Sequence, residues 1–477
     1  MDLEKAKGNL LKSDLSCFFE PESIAIVGSF KEGFFGGYVV IKSLLSAGYA
    51  GQIYPINPGY KEVLGLKVYP HLSDVQKKMD LALIMINARA VPEIIRECGE
   101  NGIKGIVVIA DGFAERNEDG ASLQDEMVET ARQVGIRIIG PNTAGIVNTS
   151  NGFNPCPYEA GYYKIKRGPI AICAQTGMIN PQAFYYPDLG FGVSKICDLG
   201  NKSDLNECDI LEYLEEDEQT GVISMYLESI QEGQRFLECT KRVTSKKPVL
   251  VVKSGRTGAG AIASASHTGS LAVDDQIFEA TCRQGGLLRL EEFRELFEVP
   301  KIFASQPLPR GNRMGIVTVT GAVAVMAIDK GAEYGLYLTE VSSKNSEMLN
   351  KIFPGTGKMP VDIGPMMAAV KDAFSLYPQM LDAVMGDENV DVLFNVLWAN
   401  PIGNIIENYI RAYELLKGRY QKPLATWIYG PNSSAVRDLR LRLEDMGFPV
   451  FSKPETCIKA LGLALRYSHV KEGKGWT

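Results

Sequence analysis

From residue 23 onward, short runs of aliphatic and β-branched residues alternate with amphipathic stretches. SIAIVGS (23–29) is apolar almost throughout and ends in a glycine, the pattern of a strand buried on both faces. YVVIKSLLSAG (38–48) spaces its apolar residues as a helix does and stops at Gly48. QIYPINP (52–58), LALIMIN (81–87), GIVVIAD (105–111) and IRIIGPN (136–142) read as further strands, with helices over 91–102 and in the acidic stretch before the last. Strands separated by helices of about ten residues predict a parallel sheet with helical crossovers, a Rossmann-like domain.

The turn-rich passage NTSNGFNPCPYEAGYY breaks this rhythm, and a second set follows. Its strands are GPIAICAQTG (168–177), FGVSKICDLGN (191–201), GVISMYLES (221–229) and PVLVVKSG (248–255), with an acidic helix over 209–220. ASQPLPRGNR (304–313) reads as a linker, and a third set runs through MGIVTVTG (314–321), VDVLFNVLW (390–398) and PLATWIYG (423–430). The second and third sets both open on strand, short glycine turn and helix, which a shared flavodoxin-like topology explains. The expected organisation is a Rossmann-like domain over 1–147 and two flavodoxin-like α/β domains over 148–303 and 304–477. At about 150 residues each, these match ordinary domain sizes.

Composition narrows the function classes. Apolar residues make up 45% and charged residues 22% of the 477, ordinary globular usage. No apolar run approaches the roughly 20 residues of a membrane-spanning helix, and the polar start MDLEKAKGNLLKSDLS does not read as a signal peptide. The net charge of −7 comes from 57 acids and 50 dispersed bases, with no basic stripe for nucleic acid. Nine scattered cysteines without a C-x-x-C pair read as reduced thiols of a cytoplasmic protein. Three histidines, His71, His267 and His469, lie far apart in sequence, so no metal site is expected.

Four segments carry candidate chemistry. VGSFKEGFFGG (27–37) is a glycine-rich turn from strand to helix, where backbone N–H groups and a helix N-terminus suit a phosphate. Its spacing is not G-x-G-x-x-G, which leaves a dinucleotide reading weak. SASHTGSLAVDD (264–275) sets His267 among small and hydroxyl residues, as a mobile loop would; a neutral, oriented imidazole accepts a phosphoryl group. Glu228 ends the strand MYLES and is placed to orient an imidazole. The turns AQTGMINPQAF (174–184) and VTGAVAVMAID (319–329) each direct a helix N-terminus toward a sheet edge; two such ends could neutralise a phosphoryl group without a metal.

At these residues the chain resembles the alpha subunit of the NDP-forming (ADP-forming) acyl-CoA synthetases, the acetate–CoA ligase family, relatives of succinyl-CoA synthetase. The resemblance runs nearly the whole length through SIAIVGS, GQIYPINPGYKEVLGLKVYP, IRIIGPNTAGIVNT, LGNKSDLNECDILEYL and KSGRTGAGAIASASHTGSLA. SHTGS is its most specific stretch. It implies a phosphohistidine at His267 and a histidine-orienting glutamate at Glu228. It implies coenzyme A contacts at Gly28, Ser29, Lys31, Asn57, Pro58, Ile109, Ala110 and Asp111, and a thiol-facing loop at Pro141, Asn142 and Thr143. Phosphate contacts fall at Thr176 and Gly177, and at Gly321 and Ala322.

Three positions depart from the family pattern. Thr143 stands where cysteine is frequent, the phosphate turn reads Ala174-Gln175-Thr176-Gly177, and the third-domain turn Gly321-Ala322-Val323-Ala324 is poorer in glycine. The implied reaction converts carboxylic acid, CoA and NTP into acyl-CoA, NDP and phosphate through an acyl phosphate. The chain has no G-x-x-x-x-G-K-[ST] motif. The resemblance therefore implies an ATP-grasp beta subunit carrying ATP or ADP with Mg2+, in an alpha2beta2 assembly. Two alternatives stay open: a CoA- or acyl-CoA-binding regulatory module without ligase activity, and a nucleotide-dependent oxidoreductase on the first domain.

Overall fold

Three parallel sheets with one strand order account for the alternation of apolar runs and helices. The computed structural model describes residues 15–158, 165–181, 185–268 and 274–474, with side chains at all of these except 187–188 and 264–268. The chain opens with β1 (Ser23–Gly28) and β2 (Gln52–Ile56), then a small antiparallel hairpin of β3 (Glu62–Val63) and β4 (Leu66–Lys67). β5 (Leu81–Met85), β6 (Gly105–Val108) and β7 (Arg137–Ile139) complete a first sheet in the order β2-β1-β5-β6-β7, parallel throughout. Every residue of β1 is buried, as its unbroken apolar run requires of a central parallel strand.

The second sheet is built from β8 (Ile146–Asn148), β9 (Arg167–Ala174), β10 (Val193–Asp198), β11 (Val222–Leu227), β12 (Val249–Lys253) and β13 (Leu288–Leu290). Its order is β13-β12-β11-β9-β10-β8, parallel except for the edge strand β8, which runs antiparallel to β10. β8 directly follows the first sheet in sequence yet pairs with the second, so the chain changes sheets at residues 140–145. The third sheet holds β14 (Arg313–Thr318), β15 (Tyr337–Leu338), β16 (Val361–Asp362), β17 (Val392–Trp398), β18 (Leu424–Tyr429) and β19 (Val450–Phe451). Its order is β15-β14-β17-β18-β19, with β16 on β14. Numbering the main parallel strands of each sheet in chain order gives 2-1-3-4-5 in all three. In such doubly wound sheets the ligand crevice opens at the carboxyl ends of the strands where the order reverses. Those points are β1/β5, β9/β11 and β14/β17.

The chain divides into two compact units, Met1–Pro187 with Gly192–Phe293, and Arg294–Thr477 with Asp188–Phe191. The first unit holds the first two sheets around a shared apolar core that includes Ile26, Leu83, Ile139, Ile223, Met225 and Val251, all essentially inaccessible. Polar bonds fasten one sheet to the other. The Asp204 carboxylate accepts Arg137 Nε at 2.9 Å and the Ile138 backbone N–H at 2.8 Å. Asn201 Nδ2 donates to Glu115 Oε2 at 2.5 Å and to Gln124 Oε1 at 3.0 Å, and Ser203 Oγ donates to the Gly140 carbonyl at 2.9 Å. In the second unit a separate core gathers Val317, Tyr377, Leu397, Tyr409 and Leu443. Among the described residues no helix is long and apolar enough to cross a membrane.

Candidate active site

The crevice at β1/β5 is shaped by what glycine omits. Gly28 ends β1 opposite Met85 of β5, and a Cβ there would stand 3.0 Å from the Met85 carbonyl oxygen and 3.2 Å from its Cβ. Beside it, Asn57 Nδ2 donates to the Gly28 carbonyl at 2.8 Å, and Asn57 Oδ1 accepts the Gly59 N–H at 2.8 Å. The Ser29 and Tyr60 hydroxyls are 3.3 Å apart, and the Lys31 N–H donates to Ser29 Oγ at 3.3 Å. Gly28, Ser29, Lys31 and Asn57 therefore form one cluster at the ends of β1 and β2, with Pro58 and Lys31 exposed. The helix Gly37–Ala47 starts here from Gly36 (φ +112°), with no side chain capping it. A helix start without a side-chain cap leaves backbone donors for an anion.

A cleft of about 610 Å³ opens between the carboxyl edges of the first two sheets. Phe34, Phe35, Met85, Ile86 and Ile109 line it with apolar surface, and Ala110, Asp111, Asn142 and Thr143 continue the wall. Gly177, Asp198 and Tyr158 face them from the second sheet's side. The expected contacts Ile109, Ala110, Asp111, Asn142, Thr143 and Gly177 thus share one cavity. Its lining combines apolar side chains with the polar groups of Asp111, Asn142, Thr143, Tyr158 and Asp198, and Phe34 and Phe35 lead in sequence to the uncapped helix start at Gly36.

The thiol-facing loop is held by its own polar bonds. It follows the cis peptide Gly140–Pro141, and Asn142 takes a left-handed conformation (φ +57°) with its N–H bonded to the Ala110 carbonyl at 2.9 Å. The Thr143 hydroxyl donates to the Asp198 carbonyl at 2.5 Å and accepts the Gly145 N–H at 2.9 Å. Thr143 is buried, so its hydroxyl secures the loop, which a cysteine thiol would do more weakly.

Across the cleft, β9 runs into the turn Ala174–Gly177. Thr176 Oγ1 accepts the Met178 N–H at 3.3 Å and caps a short 3-10 turn, Gly177–Ile179, with Gly177 exposed to the cleft. Gln175 reaches sideways: its Oε1 accepts the N–H groups of Glu228 at 2.8 Å and Ser229 at 3.0 Å. Glu228 is buried one residue past β11, and Tyr226 donates its hydroxyl to Glu228 Oε1 at 3.2 Å. The Gln175 side chain therefore couples the phosphate turn to the glutamate.

His267 lies in the last turn of the helix Gly258–Thr268, which follows β12; its side chain is outside the described residues. The expected loop is helical as far as Thr268. Four alanines at 259, 261, 263 and 265 supply the strongest intrinsic helix former, and Thr257 Oγ1 caps the start by accepting the Gly260 N–H at 3.1 Å. Thr176, Gly177 and Glu228 follow strands of one sheet at its carboxyl edge, whereas His267 lies farther along the chain, at the far end of the helix that follows β12. Gly321 and Ala322 belong to the second unit, at the exposed start of the helix Gly321–Glu333. There a Cβ on Gly321 would lie 3.4 Å from Asp362 Oδ2, so a carboxylate already faces that helix start.

Sequence reasoning missed Asp198, Gln175 and the aromatic group Phe34, Phe35 and Tyr158. Phe35 and Tyr158 form an isolated bridge with ring centroids 5.0 Å apart. Asp198 is 3% exposed at the end of β10. Burial, with the nearby Glu228 charge adding to it, pushes its carboxyl up to about 6 against the bonds it accepts from Ala144, Gly200 and Thr143. Two neighbouring apolar strand residues hid it in the run KICDLGN.

Residues 22–149 match the CoA binding domain family, and residues 167–303 match the succinyl-CoA ligase like flavodoxin domain. The chain is 38% identical over 462 residues to acetate–CoA ligase [ADP-forming] II of Archaeoglobus fulgidus, spanning 95% of this chain and 67% of that one. It is 34% identical to the alpha subunit of acetate–CoA ligase [ADP-forming] I of Pyrococcus furiosus, across 96% of this chain and 98% of the relative. Its fold superposes with a TM-score of 0.86 and 30% identity on Ca. Korarchaeum cryptofilum acetyl-coenzyme A synthetase 1 in complex with phosphate and ADP, covering 96% and 98% of the two chains. This chain belongs to the ADP-forming acyl-CoA synthetases, the acetate–CoA ligase family, and corresponds to their alpha subunit.

Proposed function

We propose that this chain joins short carboxylic acids, acetate among them, to coenzyme A at the expense of a nucleoside triphosphate, reversibly and through a phosphohistidine. The observation that carries the reading is the cleft shared by two sheets. Its first wall carries Phe34 and Phe35, next in sequence to the uncapped helix start at Gly36, together with the loop at Asn142 and Thr143, and its second wall carries Gly177. CoA lies along the apolar channel with its phosphates at Gly28–Gly37 and its thiol toward Thr143. His267 receives the phosphoryl group with Glu228 hydrogen-bonded to one imidazole nitrogen, so that the other stays nucleophilic. Transfer to the acid at the Gly177 turn makes an acyl phosphate, and the thiol displaces phosphate from it. The backbone donors of the turn stabilise the charge that builds on the phosphoryl oxygens.

The nucleotide and its Mg2+ fall to a partner, for which relatives named as alpha subunits argue. Among the described residues no cluster of three or more His, Cys, Asp or Glu could hold a metal. We assign the partner an ATP-grasp fold and the assembly an alpha2beta2 composition. The location is the cytoplasm, in keeping with nine cysteines that form no disulfide. The test is synthesis of acetyl-CoA from acetate, CoA and ATP by the chain co-purified with its partner. His267→Asn abolishes synthesis while CoA still binds, and Glu228→Gln slows phosphoenzyme formation. Undiminished synthesis by His267→Asn refutes the reading.

A further inference from the structure

Several buried charges among the described residues are paired with an opposite charge. Lys195 faces Asp217 at 3.1 Å, Lys202 faces Glu207 at 2.8 Å, and Lys459 faces Glu295 at 2.8 Å. Glu215 pairs with Arg242 at 2.7 Å and with Lys246 at 2.6 Å. The buried Asp387 has no cation on its carboxylate, but Ser342, Asn345 and Asn389 together give it four hydrogen bonds. Asp198 has hydrogen bonds but no cation, and burial outweighs those bonds. Among the described residues no cation pairs with it, and its carboxylate accepts the Ala144 N–H at 2.6 Å on Oδ2 and the Gly200 N–H at 3.2 Å on Oδ1. A carboxylate offers about four acceptor positions, and Ala144, Gly200 and Thr143 supply donors for three, so the group keeps capacity for one more. An unpaired buried charge is costly, and this one sits in the wall of the cleft, beside the loop that faces the thiol.

We propose that Asp198 is a catalytic residue of thioester formation, the base that takes the proton from the CoA thiol. The proposal rests on the functional reading above. The S–H bond breaks as the Asp198 carboxylate takes the proton, and the sulfur lone pair forms the C–S bond to the acyl carbon. The bond from that carbon to the phosphoryl oxygen then breaks, and inorganic phosphate leaves with the electron pair. Asp198 returns its proton to solvent once the product departs. In the reverse direction the protonated acid supplies the proton that the departing thiolate needs. The side chain is well placed for this role. The Thr143 hydroxyl bonds the Asp198 backbone carbonyl, and Asp198 Oδ2 lies 3.8 Å from the Cβ position of Gly177. Thiol loop and phosphate turn therefore meet at this side chain. The titratable groups whose charges reach it are Glu228 after β11, Tyr158 across the cleft, and Cys197 beside it on β10. None supplies a positive charge. A base is most effective when it titrates near the working pH, and burial has moved Asp198 toward it, to about 6.

The test isolates the step with acetyl phosphate and CoA as substrates, no nucleotide, and the enzyme purified with its partner chain. Wild-type thioester formation falls about tenfold per pH unit below about pH 6. Asp198→Asn keeps an acceptor for the Ala144 N–H, binds CoA within about twofold of wild type, and forms thioester at least about 100-fold more slowly at pH 7. Its rate no longer bends near pH 6 and rises only as the thiol itself ionises near its ordinary value of about 8.5. Asp198→Ser gives the same loss if the asparagine variant does not fold. Thioester formation by either folded variant within about threefold of wild type overturns the proposal, as does a wild-type profile flat from pH 5 to 7. A wild type that binds CoA but makes no acetyl-CoA refutes the functional reading instead.

Discussion

Replacing Asp198 by asparagine is expected to stabilise the protein at neutral and alkaline pH. The side chain is buried without a cation, and its carboxyl titrates at about 6 rather than the usual 3.8. A carboxyl raised by folding is one whose ionised form the fold disfavours. The cost is fully present above about pH 6 and disappears below about pH 4, where folded and unfolded chains are both protonated. About two pH units at roughly 1.4 kcal/mol each give a burden of about 3 kcal/mol. Asparagine keeps the bond from Ala144 and loses the one from Gly200, which returns about 1 kcal/mol. The net gain is about 2 kcal/mol at pH 8, a rise of about 4 °C in the Tm of the unit that contains it. Scanning calorimetry at pH 8 and again near pH 4.5 measures both the gain and its shrinkage. A variant equally or less stable at pH 8, or one whose advantage persists unchanged at low pH, contradicts the argument. Gain of stability with loss of thioester formation is the trade-off expected where a strained group is kept for chemistry.

Other perturbations follow from the same contacts. Gly28→Val drives a branched side chain into the Met85 carbonyl, 3.0 Å from the Cβ position, and is expected to weaken CoA binding at least about tenfold by calorimetry. Gln175→Ala strands the buried N–H groups of Glu228 and Ser229. It should cost about 2 kcal/mol or more in denaturant unfolding and slow phosphoenzyme formation as well. Lys301→Met leaves Glu444 without the ammonium group 2.6 Å away, in a site where burial already raises that carboxyl. A loss of about 3–5 kcal/mol in the second unit is expected at pH 8, and a smaller one at pH 5, where Glu444 can take up a proton.

The sequence conveyed the sheets better than the joints between them. SIAIVG, GPIAICA and MGIVT are continuous apolar runs that fit only strands buried on both faces, and the glycines after them mark the turns at the order reversals. β8 escaped because three residues carry no periodicity; its place is fixed by pairing with β10, a partner about 50 residues away. His267 reads as a loop residue because its neighbours are small, yet alanine is small and also the best helix former. Asp198 was invisible because its significance lies in a missing counter-charge, which only the folded chain reveals. The Asn201–Glu115 bond likewise joins residues 86 apart and aligns the two walls of the cleft.

The central claim is that one imidazole carries phosphorus between the acyl site and the nucleotide. Incubating the chain with acetyl-CoA and radiolabelled phosphate, without nucleotide, tests it most directly. The account predicts an acid-labile, base-stable label on His267, formed only when the thioester is present and absent from His267→Asn. Label that persists in that variant, or none in a wild type that binds CoA, contradicts it.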